Sequence, residues 1–263
     1  MGQEIQDNMP SVAVAIMCGP LSSGCGRSGL SPPLSTEEVT ALSGCFVADM
    51  AATVSTLGGE FQVRGVAAVA PSDAEISVRK ILPEGFATLS RRGETEAERH
   101  AAVVEDLLGA GHGAVCLLTA SSPTLPQSLL RQAVEALSEP GQRLVLAPAM
   151  GGGCTLIGMR HFVPELFSGI AWGTSRVLKQ VTDRAASLSL PIETLNVWYD
   201  VADGLTLNWL VRELLGDGAV PVGSGLSGSS APRTRAQLAF LAGRGYGPSP
   251  EPGPTARVGR TLM

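Results

Sequence analysis

The residues best placed to do chemistry begin with the glycine-rich segment Gly19-Pro20-Leu21-Ser22-Ser23-Gly24-Cys25-Gly26-Arg27-Ser28-Gly29. Glycines at this density let backbone amides close on a phosphate, and a guanidinium among them adds positive charge. Gly24, Gly26 and Arg27 are therefore candidate nucleotide-binding residues. The segment lacks the Gly-Lys-Ser/Thr end of a Walker loop and the GxGxxG spacing, so a flexible connector fits it as well. Thr119-Ala120-Ser121-Ser122-Pro123-Thr124 offers the hydroxyls of Ser121 and Ser122. Pro148-Ala149-Met150-Gly151-Gly152-Gly153-Cys154 offers Gly152 and Gly153, in either a close approach to a ligand or a tight turn between two strands. Asp200 and Asp203 are the best-placed carboxylates. Either could serve as a general base or hold a sugar hydroxyl, and Asp203 could equally cap a helix starting near Leu205. Arg99 reads as a phosphate ligand or as an exposed partner of Glu96 and Glu98. Trp172 and Thr174, in Gly-Ile-Ala-Trp-Gly-Thr, could line a site or support the core.

Other chemistries find little support. His100, His112 and His161 are scattered, and no Cys/His spacing suits zinc. The Gly-Leu-Ser-Gly-Ser run at 225–229 lacks the strand and helix of a nucleophile elbow. Formal charge is −5 with no dense basic patch, which argues against nucleic-acid binding. Five cysteines without CxxC spacing read as reduced, mostly buried thiols. No stretch reaches the ~18 uninterrupted apolar residues that a membrane span needs, so a cytoplasmic protein is expected.

These residues need a frame to hold them. With 44% apolar and 16% charged residues the chain can bury a large core, built from Ala, Val, Leu and Ile because aromatics are only 4%. Apolar runs at 11–18, 61–70, 114–120, 143–147, 155–159 and 192–198 predict strands. Helical patterns at 36–57, 71–81, 95–109, 125–137, 174–188 and 205–215 alternate with them. A mostly parallel, doubly wound sheet in a three-layer α/β/α domain follows. Residues 1–10 are expected to be a flexible N-terminus and 11–216 the domain. Residues 217–263 form a Gly/Ser/Pro-rich extension with one basic helix near 233–244. In such a sheet ligands bind beyond the carboxyl ends of the strands, where the candidate loops would emerge.

Leu118–Pro126 (LTASSPTLP), Ala147–Gly158 (APAMGGGCTLIG), Leu166–Val177 (LFSGIAWGTSRV) and Trp198–Val201 (WYDV) carry a resemblance. In order and spacing they resemble the small bacterial glycosyltransferase-like proteins often encoded beside radical-SAM proteins, within the nucleotide-diphospho-sugar transferase superfamily. Gly24, Arg27, Leu30, Val47-Ala48-Asp49 and Gly93 with Glu98-Arg99 extend it more loosely. The resemblance implies a GT-A fold, a nucleotide-diphosphate-sugar donor and a small-molecule acceptor, with self-association left open. The family pattern has an Asp at Ser121, an acidic pair at Met150-Gly151 and a second Asp at Ala202. Divalent metals need hard carboxylate oxygens, so neither a metal nor another cofactor is expected. Glycosyl transfer without a tightly bound metal is the first expectation. A non-catalytic nucleotide-, sugar- or partner-binding relative and a nucleotidyltransferase are the alternatives.

Overall fold

The computed structural model describes residues 11–19, 29–59, 61–218, 222–223 and 225–245. Gly24, Gly26 and Arg27 lie outside the described residues, as do 1–10 and 246–263. The sheet is built from β1 (Val12–Cys18), β2 (Val63–Val69), β3 (Ala87–Ser90), β4 (Ala114–Thr119), β5 (Leu144–Pro148), β6 (Cys154–Met159) and β7 (Ile192–Thr194). Its order is β3-β2-β1-β4-β6-β5-β7. β6 alone runs antiparallel to its neighbours; the other pairings are parallel. Every residue of β1 and of β6 is buried, which is why these strands read as continuous apolar runs and not as alternating ones.

The helices are α1 (Thr36–Ser55), α2 (Glu75–Arg79), α3 (Glu96–Gly109), α4 (Gln127–Ser138), α5 (Val177–Ser187), α6 (Gly204–Leu215) and α7 (Pro232–Gly243). Side chains of α1, α4, α6 and α7 join one core layer against the sheet. Those of α3 and α5, with the turn Pro164–Phe167, join the other. The mixed, mostly parallel sheet with helices on both faces is the architecture expected from the alternating pattern. Thr36–Gly59 has the length and composition of a membrane span. Val39, Leu42, Phe46, Val47, Met50 and Val54 of this segment are instead buried in the domain core.

Local chemistry sets the helix ends. Ser35 and Glu38 form a capping box on α1, and Thr95 and Glu98 form one on α3. The apolar pattern suggests a buried face of Ala101, Val104, Leu107 and Leu108 on α3; Val104 and Leu107 are buried with Ala102 and Val103, and Ala101 and Leu108 pack partly buried against the same core. One strand is unexpected and one expected strand ends early. β3 is short and half exposed, and too little of it is apolar to signal a strand. The strand expected over 192–198 stops at Thr194, and pairing resumes only at the Ala149–Trp198 bridge. Leu195 N donates to Leu146 O and Trp198 N to Pro148 O. Pro148 has no N–H to return to the neighbouring strand, so the ladder is interrupted there.

α7 packs on α1 through a buried carboxylate. Asp49 is 3% exposed. Its two oxygens accept from the backbone N–H groups of Arg233 at 3.1 Å and Thr234 at 2.7 Å. The negative charge thus sits at the positive end of α7. Asp49→Ala should cost about 2 kcal/mol, since hydrogen bonds to a charged group are lost and two N–H groups are left unpaired. Urea unfolding would show it; an unchanged midpoint would mean that the cap contributes nothing.

Candidate functional site

Five strands deliver loops to one edge of the sheet. β1 ends in Gly19, β2 in Ala70–Ala74, β4 in Ala120–Pro126, β5 in the turn 149–153 and β7 in the segment 195–203. Three hydrogen bonds tie the last three together. Val201 N donates to Ser121 O at 2.8 Å, Ser122 Oγ to Tyr199 O at 3.0 Å, and Met150 N to Trp198 O at 2.9 Å. Asp200 follows Tyr199 in this knot. One of its carboxylate oxygens lies 3.7 Å from where a Cβ on Gly151 would stand. Gly29, the far end of the glycine-rich segment, forms a parallel bridge with Asp203. A Cβ there would come within 2.7 Å of the Ala202 carbonyl oxygen, so only glycine permits this approach. Gly19, Gly29, Ser121, Met150, Gly151, Asp200 and Asp203 therefore share the carboxyl edge, as the doubly wound topology requires.

The structure gives several candidates definite partners. Ser122 is buried, and its hydroxyl is committed to Tyr199 O. Ser121 is half-buried, and its hydroxyl donates to Thr119 Oγ1 at 3.3 Å. Gly152 and Gly153 lie in a tight turn joining β5 to antiparallel β6, with Gly152 N donating to Ala149 O. Gly152 has φ +83°, and its α-carbon faces the Ser175 carbonyl. Asp203 caps α6: its Oδ1 accepts from Thr206 N at 2.9 Å and Thr206 Oγ1 at 2.7 Å. Thr174 does not cap α5, which starts at Val177 after Arg176. Its hydroxyl instead donates to Ala171 O and closes a turn with Gly173 at φ +77°. Arg99 holds the loop before α3, donating to Gly93 O, Glu94 O and Glu96 Oε1.

Trp172 stacks on His100, with ring centroids 4.1 Å apart and planes 11° from parallel, and donates to Phe167 O. The sequence favours a structural role for His100 over catalysis, and His100, Val103, Val104 and Leu107 follow the i, i+3, i+4, i+7 spacing of a buried stripe. Burial is the main cause holding its imidazole down to about 4, with Arg91 adding to it. The neutral ring therefore donates from Nδ1 to Glu96 O at 2.6 Å. Arg91 is 8% exposed and pairs with Glu96 at 2.5 Å. The same carboxylate receives Arg99 at 2.8 Å.

A group that the sequence did not single out underlies the loop knot. Tyr199 donates its hydroxyl to Glu213 and accepts from Thr124 Oγ1 at 3.3 Å. Burial raises the Glu213 carboxyl above its ordinary range, against the hydrogen bonds that lower it. Because the folded value lies above the unfolded one, deprotonation opposes folding. The contribution is full below the ordinary carboxylate range and is lost as pH climbs through the raised value. Stability of Glu213→Gln relative to the parent should therefore improve from pH 4 to pH 8. A gap independent of pH in urea titrations would contradict this.

Among the described residues, no three His, Cys, Asp or Glu side chains gather as a metal would need. At the positions where the resemblance implies acids, Ser121 presents a neutral hydroxyl, and the side chains of Met150 and Gly151 bring no oxygen, with Asp200 the carboxylate beside them.

The architecture is GT-A-like. The chain superposes on a candidate nucleotide-diphospho-sugar transferase from Desulfovibrio desulfuricans G20 with a TM-score of 0.71 and 21% identity, over 88% of this chain and 95% of that one. It also superposes on CMP:2-keto-3-deoxy-manno-octonic acid synthetase complexed with CTP, with a TM-score of 0.52 and 11% identity, over 80% of this chain and 100% of that one. A family model described as an uncharacterized protein conserved in bacteria (DUF2064) matches residues 53–174. No curated protein matches the chain significantly.

Proposed function

We propose that the chain binds a nucleotide-diphosphate sugar at the carboxyl edge and transfers the sugar to a small-molecule acceptor without a tightly bound divalent ion. The observation that carries this is the convergence of Gly29, Ser121, Gly151 and Asp200 from four separate loops on a GT-A-like sheet. Arg27, two residues before Gly29 in the sequence, is the proposed counter-charge. A guanidinium can pair bidentately with diphosphate oxygens and offset charge that would otherwise need a metal. Gly24 and Gly26 would add backbone amides. Asp200, beside Gly151 at the carboxyl edge, is the carboxylate proposed as general base. It would take the acceptor hydroxyl proton as that oxygen bonds to the anomeric carbon, and the sugar–diphosphate C–O bond would break to release the nucleoside diphosphate.

The same proposal places the chain with the small bacterial transferases found beside radical-SAM proteins. A cytoplasmic setting accords with the free thiols of Cys18, Cys45, Cys116 and Cys154. The replaced acids and the engagement of Asp203 favour one second reading, a relative that binds the nucleotide sugar without turning it over.

Arg27→Ala should weaken nucleoside diphosphate binding by ~1.5–3 kcal/mol, the range for hydrogen bonds to charged groups. Calorimetric titration of parent and variant with UDP and CDP would read this. Equal affinities would remove Arg27 from the site. Titrating Mn²⁺ in the presence of UDP should give no stoichiometric binding in the micromolar range. Tight binding would show that other carboxylates hold an ion.

A further inference from the structure

The loop that presents Ser121 is gripped from below by the segment after α6. Ser229 N donates to Thr124 O at 3.0 Å, and Ser229 Oγ donates to Leu125 O at 2.7 Å. The next element, α7, is fastened to α1 by the Asp49 cap. Between Ser229 and α6, Gly228 lies against Glu213: a Cβ there would fall 2.0 Å from Glu213 Oε1 and 3.1 Å from Thr124 O. The half-buried carboxyl of Glu213 thus lies against Gly228, Thr124 and Tyr199. Tyr199 in turn precedes Asp200 and accepts Ser122 at its carbonyl. The edge of Trp209 meets the Tyr199 ring at 86°, with centroids 6.1 Å apart, so the phenol has little freedom to turn.

We propose that residues 225–231 act as a clamp that fixes the loop after β4, and that Glu213 and Tyr199 are positioning residues which set Asp200 and Ser121 for the ligand. The ligand half of this inference rests on the function proposed above; the mechanical half does not. Packing alone does not call for a half-buried carboxyl between two loops and a helix, because an apolar side chain of similar volume could fill the space without desolvating a charge. What Glu213 supplies is direction. Its oxygens accept from Tyr199 and leave Gly228 close enough for Ser229 to reach Thr124.

Two measurements on the full chain decide it. Hydrogen exchange of the ligand-free protein should show amides 120–125 exchanging at least tenfold faster in Gly228→Ala, Tyr199→Phe and Glu213→Ala. β2 and α3 should be unchanged in the same samples. Glu213→Gln, which keeps an oxygen for the Tyr199 hydroxyl, should restore protection. A global loss of structure would accelerate all segments together, and Tyr199→Phe, which removes one atom, guards against that outcome in the harsher variants. UDP affinity should fall about tenfold in the unprotected variants and recover in Glu213→Gln. Unaltered exchange at 120–125 in Gly228→Ala and Tyr199→Phe overturns the clamp. Faster exchange with unchanged UDP affinity overturns the positioning role. If the parent itself binds no UDP, the functional reading fails, and the clamp stands or falls on exchange alone.

Discussion

Gly152→Ala should be among the most damaging single changes in this protein, costing about 2–5 kcal/mol. Two costs add. The residue sits at φ +83°, where a side chain adds roughly 1–2 kcal/mol of backbone strain. A Cβ would also lie 2.2 Å from the Ser175 carbonyl oxygen and 3.0 Å from its carbon. That contact is backbone to backbone, so no rotamer change relieves it, and forced overpacking costs about 1–3 kcal/mol more. Neither chain segment is free to retreat. Gly152 O accepts from Leu178 N in the first turn of α5, and Gly152 N donates to Ala149 O. Gly153 offers the control. Its Cβ position meets nothing closer than the Ala149 Cβ at 3.8 Å, so Gly153→Ala should cost less than about 1 kcal/mol. Urea unfolding of both variants tests the pair. Equal small losses would mean that the turn moves away from Ser175 without penalty.

The second large effect is a loss of stability in mild acid. His100 titrates near 6.5 when unfolded, and burial holds it to about 4 in the fold. A depressed folded value means that the unfolded chain takes up the proton first. The stabilising contribution is full above 6.5 and is lost as pH falls toward 4, amounting to about 3 kcal/mol at most. Burial also lowers the His112 imidazole, with the same sign. Arg91 and Arg99 hold Glu96 below its ordinary value despite the opposing effect of burial, so its contribution is lost at still lower pH. A His100→Phe variant separates these contributions. It keeps a ring against Trp172 but cannot titrate, so its unfolding free energy should fall less steeply between pH 6.5 and 4 than the parent's. Parallel curves would mean that His100 ionises in the folded protein without penalty.

Much of the frame was legible because it depends on local patterns. Val12–Cys18, Ala114–Thr119 and Leu144–Pro148 are apolar runs of strand length, and Ser35, Thr95 and Asp203 mark helix starts. The short edge strand at Ala87–Ser90 was not legible, because a half-exposed strand has no need of an apolar run. The site was legible only in outline. Loop composition placed Ser121, Gly151 and Asp200 together through topology, and it offered the Arg99–Glu96 pair and a tight turn at Gly152 as alternatives, yet gave no means of seeing that Ser122 is committed to Tyr199. The Tyr199 carbonyl that holds Ser122, and the Ser175 and Leu178 contacts of Gly152, are created only by tertiary packing. Glu213 and Arg91 escaped notice for the same reason. A single charged residue on a helix or after a strand reads as solvated until its neighbours are known.

The central claim, a nucleotide-diphosphate site that works without a tightly held metal, is tested most directly by thermal unfolding with nucleoside diphosphates and nucleotide sugars, each with and without Mn²⁺. A ligand at ~100 times its Kd stabilises the fold by ~2.7 kcal/mol, which is readily seen. The account predicts a clear rise in melting temperature with at least one nucleoside diphosphate or its sugar conjugate, of equal size in the presence and absence of Mn²⁺. A rise that requires Mn²⁺, or no rise with any of these compounds, would contradict it.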